Sequence, residues 1–255
     1  MRVLVTGGTG NLGRALERSA LAAGHIVRIM SRRPRPQSIN NREWAQADVA
    51  SGAGVREAVA GVDAILHAAT DPRRAKEVDV NGTRHLVEAA RASGITHLIY
   101  VSIVGIDEIP YSYYKRKREA EEIIRLSGVP HSILRATQFH SLLHTLLSVA
   151  ARVPMVLPLP TDFKFQSVAE SEVAERLVRQ LGERPSGRLA DYGGPEVLTL
   201  GAMARTWMSV KGVRKKLIHV PLPGAVAAGF RAGTNTGAEA RGVITWREWL
   251  LQHPN

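Results

Sequence analysis

Short apolar runs alternate with helical patterns through the first half of the chain. The runs with strand character are "RVLVTG", "HIVRIMS", "VDAILHAAT", "THLIYVS" and "HSILRAT". Between them, apolar spacing predicts helices at 12–23, at "GVREAVAG", at 78–93 and at about 113–127. Strands that are apolar along their whole length are typical of a parallel sheet covered on both faces. The pattern therefore predicts a doubly wound α/β fold with helices on both faces of the sheet.

The pattern loosens after about residue 140. Prolines at 154, 158 and 160 indicate a loop region, "SEVAERLVRQL" predicts a helix, and "GRLADYGG" is a candidate last strand. The tail is rich in glycine between 224 and 242. We therefore expect one domain over 1–255, to which about 140–165 and 195–255 contribute a small C-terminal substrate-binding lobe.

The composition is that of a globular protein with one well-filled core. The 255 residues include no cysteine, which excludes disulfides and thiolate metal sites and fits a cytoplasmic protein. The opening "MRVLV" runs straight into a glycine turn, too short for a secretory signal. The longest apolar region, "SLLHTLLSVAARVPMVLPLP", is interrupted by His144, Arg152 and prolines, so no membrane span is expected.

The chain is strongly basic, with a net charge of +11 from 34 basic and 23 acidic residues. The basic groups are dispersed as "RRPR", "KRKR" and "RKK", and no nucleic-acid-binding motif accompanies them. We therefore expect a solvated basic surface and an anionic small-molecule ligand, and no nucleic-acid partner. No pattern in the sequence specifies an oligomeric state.

A glycine-rich turn, "TGGTGNLG" at 6–13, joins the first predicted strand to the first predicted helix. It fits the dinucleotide fingerprint as Gly8-x-Gly10-x-x-Gly13 and also the spacing Gly7-x-x-Gly10-x-x-Gly13. The turn must be tight and its backbone must approach a diphosphate, which the helix N-terminus attracts. The predicted cofactor contacts in this turn are Gly7, Thr9, Gly10, Asn11, Leu12 and Gly13.

The second predicted strand ends in "RIMSRRP", which indicates the form of the cofactor. An NAD site carries an acidic residue here for the ribose 2′-hydroxyl, whereas this chain has Ser31, Arg32 and Arg33. A guanidinium can bind a 2′-phosphate that a carboxylate would repel. The sequence therefore favours NADP(H) over NAD(H). The alternative is that these arginines, Arg33 above all, only solvate a loop.

Several motifs occur in an order that resembles one protein family. They are "TGGTGNLG", "ADV" at 47–49, "LHAAT" at 66–70, "VNGTRHLVEAA" at 80–90, "LIYVS", "PYSYYKRKREAEE", "ILRATQFH" and "FQSVAESEVAERL". Together they resemble the atypical short-chain dehydrogenases/reductases, in particular the NmrA-like NAD(P)H-binding branch, which have a Rossmann-type sheet. The resemblance covers nearly the whole chain and weakens after about residue 200.

The resemblance implies further cofactor contacts. The Asp-Val after the third strand would meet the adenine, and the turn after the fourth strand would pass the ribose. It also implies that Asn81 lies near the active site. The corresponding residues are Asp48, Val49, His67, Ala68 and Ala69.

Tyrosine precedes lysine by four residues twice in "YSYYKRKREAEE", as Tyr111/Lys115 and as Tyr113/Lys117. Residues four apart share a helix face, but these two pairs face nearly opposite sides. The face of Tyr113 and Lys117 continues into apolar positions, whereas the other continues into charged ones. We therefore assign catalysis to Tyr113 as proton donor, with Lys117 lowering the phenol pKa and binding the nicotinamide ribose. The alternatives to this catalytic assignment are that Tyr113 only packs in the core and that Lys117 is a surface lysine.

The third partner of such a site departs from the family pattern. Those enzymes carry a serine or threonine just after the fifth strand to bind the substrate carbonyl, where this chain has Val104. Ser102 either substitutes for it or the donor is lacking, which would reduce the rate.

Other polar residues follow the sixth predicted strand. By family position, Gln138, Phe139 and His140 are expected to line the substrate pocket. His140 and His144 are four apart, but no third ligand is evident, so no metal site is predicted.

The residues and the resemblance together predict an NADPH-dependent oxidoreductase. It would transfer hydride to a small carbonyl or conjugated substrate, aromatic substrates included. The alternative, which Val104 favours, is a non-catalytic NADP(H)-binding regulator that senses redox state. Nucleotide-sugar epimerisation or dehydration is less favoured, because the C-terminal region is short.

Overall fold

The structure is a computed structural model that describes residues 1–37 and 42–254. Its contacts divide the chain into two compact units, each formed from three segments. The first unit comprises Met1–Ser102, Ser112–Leu134 and Ala174–Ala190. The second unit comprises Ile103–Tyr111, Arg135–Val173 and Asp191–Asn255.

The first unit is built on a seven-stranded parallel sheet with the strand order β3-β2-β1-β4-β5-β6-β9. The strands are β1 Arg2–Thr6, β2 Ile26–Ser31, β3 Arg42–Gln46, β4 Ala64–His67, β5 His97–Ile103, β6 His131–Ala136 and β9 Gly187–Arg188. The order 3-2-1-4-5-6 is that of the Rossmann fold. Successive strands are added on one side of β1 up to β3 and on its other side from β4 onwards, so the strand order switches between β1 and β4. The predicted fold class is confirmed, and "GRLADYGG" supplies β9 beside β6.

Helices cover this sheet because their apolar faces and the strand interiors bury one another. They are α1 Asn11–Ala22, α2 Val55–Val59, α3 Gly82–Ala92, α4 Ser112–Leu126 and α6 Glu170–Gln180, whose first four residues belong to the second unit. Leu4, Ile65 and Leu98, on β1, β4 and β5, are completely buried in the core beneath them. The predicted helix 78–93 is divided in the structure into a π-helix, Lys76–Asn81, and then α3.

Helices make up most of the regular secondary structure of the second unit. Its further helices are α5 His140–Ala150, α7 Leu200–Lys211, α8 Ala225–Ala232 and α9 Trp246–Gln252. Two short strand pairs accompany them: β7 Val156–Leu159 with β11 Lys216–His219 in parallel, and β8 Lys164–Phe165 with β10 Leu198–Thr199 in antiparallel. Its core joins Leu147, Leu157 and Trp207 to the two tryptophans of α9.

Two parts of this unit differ from expectation. Prolines 154, 158 and 160 had indicated a loop region; the structure has turns and bends at 151–155 but forms strand β7 at Val156–Leu159. Helix α5 precedes these prolines and had not been predicted. Pro158 lies inside β7, which pairs with one strand among the described residues and so tolerates a residue without an N–H. None of the helices in the described ranges is both long and apolar enough to cross a membrane.

Candidate functional site

The glycine turn between β1 and α1 is closed so tightly that side chains are excluded. A Cβ on Gly13 would lie 2.1 Å from the carbonyl oxygen of Gly7. Gly7 has a φ of +65°, and a Cβ there would lie 2.7 Å from the carbonyl oxygen of Ala68. Gly10 is the N-cap of α1 and has no side chain to occupy the first N–H groups of the helix. The turn is thus a cradle of backbone that fits a diphosphate group.

An open pocket of about 270 Å³ adjoins this turn, inside the first unit. Arg14, Arg33 and Arg42 line it, together with Trp44 and Glu17. Arg42 forms an ion pair with Glu17. Three guanidinium groups around one cavity favour a multiply charged anion over a hydroxyl group. Trp44 supplies an aromatic surface beside them.

The arginines after β2 differ in position. The Ser31 hydroxyl accepts a hydrogen bond from the backbone N–H of Arg33 at 3.1 Å, which closes a small turn. Trp44 Nε1 donates to the Arg33 carbonyl oxygen at 3.1 Å. Both Arg32 and Arg33 are exposed, and the pocket lining includes Arg33 but not Arg32.

Sequence reasoning missed Arg14 and Arg42. Arg14 follows the last fingerprint glycine directly, and its guanidinium donates to the Thr9 carbonyl oxygen and, at 2.8 Å, to Asn11 Oδ1. Leu12, next to Asn11, is buried. Arg42 reaches the pocket because β3 pairs with β2 in a register that sets Arg42 opposite Val27. Arg14 could have been predicted as a cofactor contact, because it directly follows the last glycine of the fingerprint. Arg42 could not, because the sequence does not show the register of β3.

Asp48 and Val49, the expected adenine contacts, form the turn after β3. Asp48 Oδ1 accepts from the backbone N–H of Ala50 at 3.0 Å. The Val49 carbonyl oxygen accepts from His85 Nδ1 at 2.8 Å, and its buried side chain packs against Gly82 at the start of α3. Their contacts therefore fix this turn at the carboxyl edge of the sheet.

His67 lies in a buried chain of hydrogen bonds whose directions can be assigned. Thr6 Oγ1 accepts from the N–H groups of Ala68 and Ala69, so its own proton points to His67 Nδ1 at 2.7 Å. Thr83 donates its proton to a backbone carbonyl oxygen, so His67 Nε2–H donates to Thr83 Oγ1 at 3.1 Å. Burial, and to a lesser degree the charge of Lys117, lowers the pKa of His67 to about 3. A neutral His67 thus fixes the turn after β4 through its side chain.

Helix α4 buries one of the two candidate lysines. Lys117 is 3% exposed, and its Nζ donates to the Val101 carbonyl oxygen at 3.1 Å and lies 4.2 Å from the centre of the Tyr100 ring. Lys115 and Tyr111 are exposed. Burial lowers the pKa of Lys117 below that of a free lysine, and Asp79 acts in the opposite direction.

A carboxylate that the sequence reasoning missed joins Lys117 to Tyr113. Asp79 Oδ1 lies 3.6 Å from Lys117 Nζ and accepts from the Thr70 hydroxyl at 2.6 Å. The Thr70 hydroxyl also forms a 2.8 Å hydrogen bond with the hydroxyl of the half-buried Tyr113. Asn81, two residues after Asp79, instead accepts from Arg84 on the following turn. The acid of the π-helix, not its asparagine, therefore meets the catalytic candidates.

Strand β5 carries two buried hydroxyl groups on one face, since residues two apart in a strand point the same way. Within residues 1–37 and 42–254, neither Tyr100 Oη nor Ser102 Oγ meets a hydrogen-bond partner. Burial raises the pKa of Tyr100 well above its usual value. Val104 is buried, and its N–H donates to the Ala136 carbonyl oxygen. Ser102 is thus an unsatisfied polar group of the kind that a ligand would complete.

The residues expected to line a substrate pocket after β6 have other contacts in the second unit. Gln138 Oε1 accepts from Asn235 Nδ2 at 3.0 Å, and Phe139 is the N-cap of α5. His140 is completely buried, with its ring centre 5.6 Å from that of Trp246. Its Nε2–H donates to the Ile244 carbonyl oxygen, and burial lowers its pKa to about 4. The structure gives the side chain of His140 a packing environment.

Across the described ranges, no cluster of three or more histidine and acidic side chains is arranged to hold a metal ion. His144 instead accepts a hydrogen bond from Trp207 Nε1 at 3.0 Å. The helix that follows β6 therefore uses both histidines in contacts with tryptophans.

Comparison with known proteins adds to this geometry. The family model described as NAD(P)H-binding matches residues 7–184. The (4-alkanoyl-5-oxo-2,5-dihydrofuran-3-yl)methyl phosphate reductase of Streptomyces griseus is 30% identical, over 98% of this chain and 97% of its own. A photosystem II assembly factor of Cyanophora paradoxa is 31% identical over 54% of this chain and 46% of its own.

Solved structures share the fold. That of an NADPH-dependent quinone oxidoreductase from Escherichia coli, complexed with NADPH, has a TM-score of 0.81 and 18% identity, covering 99% of this chain and 100% of that one. The glycine cradle and the strand order agree with the family match over 7–184. The chain therefore belongs to the NAD(P)H-binding family and is of the atypical short-chain dehydrogenase/reductase type.

Proposed function

We propose that this protein reduces a small carbonyl or conjugated substrate with NADPH. The observation that carries the proposal is the buried Lys117, held by Asp79, one helical turn after a tyrosine whose hydroxyl lies in the same network. Burying an ammonium is costly even when it is paired, and ionisable groups with perturbed pKa values cluster at functional sites. The names of the reductase relatives support the same class of reaction.

The described residues fit the cofactor. The backbone of the glycine turn would hold the diphosphate, and Arg33, with Arg14 and Arg42, would hold the 2′-phosphate. Lys117 would hold the nicotinamide ribose. When bound, the reduced nicotinamide supplies the hydride.

The chain's own residues would handle the proton and the developing charge. Tyr113 would protonate the substrate oxygen, and the ammonium of Lys117 would stabilise the phenolate that remains. Ser102, whose hydroxyl has no partner among the described residues, would donate to the same oxygen in place of a hydroxyl at Val104. Ketones, enones and quinones share the polarised oxygen that this arrangement would recognise.

The arginine pocket gives the sharpest test of the cofactor. We expect Arg33→Ala to weaken NADPH binding about 10- to 150-fold, because one charge-assisted contact is worth about 1.5–3 kcal/mol, and to leave NADH binding unchanged. Arg32→Ala is the matched control, since Arg32 is equally exposed but lies outside the pocket lining. Titration of cofactor fluorescence measures the affinities of the wild type and of both variants for NADPH and for NADH. Equal losses of NADPH and NADH binding in Arg33→Ala would contradict the assignment.

Activity is tested separately, by NADPH consumption against quinones, enones and aldehydes. We expect Tyr113→Phe to abolish most of the turnover while NADPH still binds, because only the hydroxyl is removed. A fully active Tyr113→Phe variant would show that another group donates the proton.

A second candidate function is that of an NADP(H)-binding regulator without turnover. Val104 favours it, because the usual carbonyl-binding hydroxyl is missing at that position. The partial similarity to a photosystem II assembly factor also supports a non-reductase role within the family. Tight NADPH binding with no consumption across the substrate panel would select this function.

A further inference from the structure

A buried carboxylate that the proposed reaction does not consume lies next to the proton donor. Asp79 is 1% exposed, and both of its oxygens are engaged. Oδ1 accepts from Thr70 and lies near Lys117, and Oδ2 accepts from the backbone N–H of Asp71 at 3.2 Å. The π-helix places this residue, and such helices often occur at functional sites.

The chemistry of the three groups fixes the direction of their hydrogen bonds. A carboxylate can only accept, so Thr70 donates its single proton to Asp79 Oδ1. Thr70 then has only lone pairs to offer to Tyr113. Tyr113 must therefore be the donor in the 2.8 Å contact. The bonds run from the phenol through the threonine to the carboxylate.

We propose that Thr70 and Asp79 are positioning residues that orient the hydroxyl of Tyr113 and hold it in its protonated form until it reacts. The proposal rests on the proposed function, in which Tyr113 is the proton donor. Asp79 has a second part in it, because it is the counter-ion that keeps the buried Lys117 charged. One carboxylate thus supports both members of the catalytic pair.

The cycle balances in protons and electrons. The substrate gains two electrons as hydride from the reduced cofactor and one proton from Tyr113, whose O–H bond breaks. The phenolate then accepts the hydrogen bond of Thr70, which turns away from Asp79, and water at the exposed Thr70 restores the lost proton. The ring of Tyr114 lies 6.2 Å from that of Tyr113, and Tyr100 on β5 interacts electrostatically with Tyr113. The other ionisable groups joined to this network are Asp79 of the π-helix and Lys117 and Glu121 of α4.

The test follows the ionisation of Tyr113 without cofactor. Protein labelled at the Cζ carbon of its five tyrosines is titrated by NMR, and Tyr113→Phe identifies the relevant signal. We expect Thr70→Val and Asp79→Asn to move the midpoint of Tyr113 to lower pH by about one unit, because the acceptor chain that favours the phenol is lost. Thr70→Ser keeps the hydroxyl and should restore the original midpoint.

A matched control excludes a general effect of losing a hydroxyl. Thr96, just before the start of β5, is exposed like Thr70, and its hydroxyl donates to the Asp63 carbonyl oxygen. Thr96→Val should leave the Tyr113 midpoint unchanged. Thr70 is exposed, so Thr70→Val should fold even if Asp79→Asn does not. An unchanged midpoint in Thr70→Val overturns the proposal.

Steady-state kinetics with NADPH and menadione give the second readout. The alkaline limb of the kcat profile should move to lower pH in Thr70→Val by the same amount as the NMR midpoint, with the KM for NADPH unchanged. A uniform loss of kcat at every pH, without a shift, contradicts the proposal. If the wild type binds no NADPH or reduces no substrate, the proposed function fails, and the NMR titration alone still decides the role of Thr70 and Asp79.

Discussion

The two tyrosine–lysine pairs differ in whether their lysine, on helix α4, is buried. Lys117 is almost fully buried, whereas Lys115, two residues earlier, is exposed. A buried ammonium is stable only with a counter-ion, and Asp79 is that counter-ion. The two lysines should therefore respond very differently to the same substitution.

We expect Lys117→Met to lower the free energy of unfolding by about 3–5 kcal/mol, because it leaves the carboxylate of Asp79 buried without its partner. Lys115→Met should change it by less than about 0.5 kcal/mol, as is usual for exposed positions. Urea unfolding at neutral pH measures both values. Equal effects of the two substitutions would place Lys117 at the surface in solution.

The double variant Lys117→Met with Asp79→Asn completes this test. Removing both charges should recover part of the stability lost in Lys117→Met alone, because no uncompensated ion remains buried. Simple addition of the two single losses would show that the ion pair contributes nothing specific.

Single residues also show how far the sequence alone could lead. Helical spacing was sufficient to select Lys117, because a helix face is set by local geometry. It could not select Asp79 over Asn81, since the two are both polar and only the local π-helix turns the acid inward. Arg42 was equally hidden, because its place at the pocket depends on strand register between distant segments.

At the scale of elements, the glycine turn joins strand β1 to helix α1 through backbone contacts alone. We expect Gly13→Ala to destabilise the protein by more than about 1 kcal/mol and to remove NADPH binding, because its Cβ would overlap the carbonyl oxygen of Gly7. Thermal unfolding with and without NADPH measures both effects.

Gly182→Ala is the control for this substitution. A Cβ on Gly182 would make an ordinary contact of 3.6 Å with the Arg179 carbonyl oxygen, and the residue is exposed. It should keep the stability and the cofactor response of the wild type. Unaltered NADPH binding in Gly13→Ala would exclude the turn as the diphosphate site.

Five strands of the sheet, β1, β2, β4, β5 and β6, could be predicted because each is a continuous apolar run between helical patterns. Strand β3, "REWAQ", could not, because it is not such a run. Helix α5 could not, because its "SLLHTLLSVA" segment is apolar on several sides and is followed by prolines. Its exposed face carries Leu142, Leu146 and Val149, so the usual polar stripe is absent from the pattern. Strand β7 could not be predicted because of Pro158, which is tolerated because β7 pairs with β11 alone within residues 1–37 and 42–254.

At the scale of the whole molecule, each unit contains a buried neutral histidine that makes stability depend on pH. The pKa of His67 in the first unit is about 3 and that of His140 in the second about 4, against 6.5 for a free histidine, because burial disfavours the charged ring. The unfolded chain therefore binds more protons than the folded one between these values and 6.5. This contribution to stability is complete above pH 6.5 and is lost as the pH falls.

We expect the free energy of unfolding of the second unit to fall by about 1.4 kcal/mol per pH unit between about pH 6.5 and 4 because of His140. Glu170 opposes this loss, because its burial raises the pKa of its carboxyl group. In His140→Phe the ring remains but cannot charge, so the decline with acid should flatten by that slope. His140→Phe also loses the hydrogen bond to Ile244 at every pH. This loss lowers the free energy of unfolding by the same amount at each pH and leaves its pH dependence unchanged.

Urea unfolding at several pH values, followed by tryptophan fluorescence, measures this slope, since three of the four tryptophans lie in the second unit. The control is His219→Gln, which removes an exposed histidine of the same unit. It should reproduce the wild-type decline, because it leaves the buried His140 unchanged. If His140→Phe and His219→Gln decline with acid as steeply as the wild type, His140 is not held neutral, and the tryptophan cluster around it must admit water.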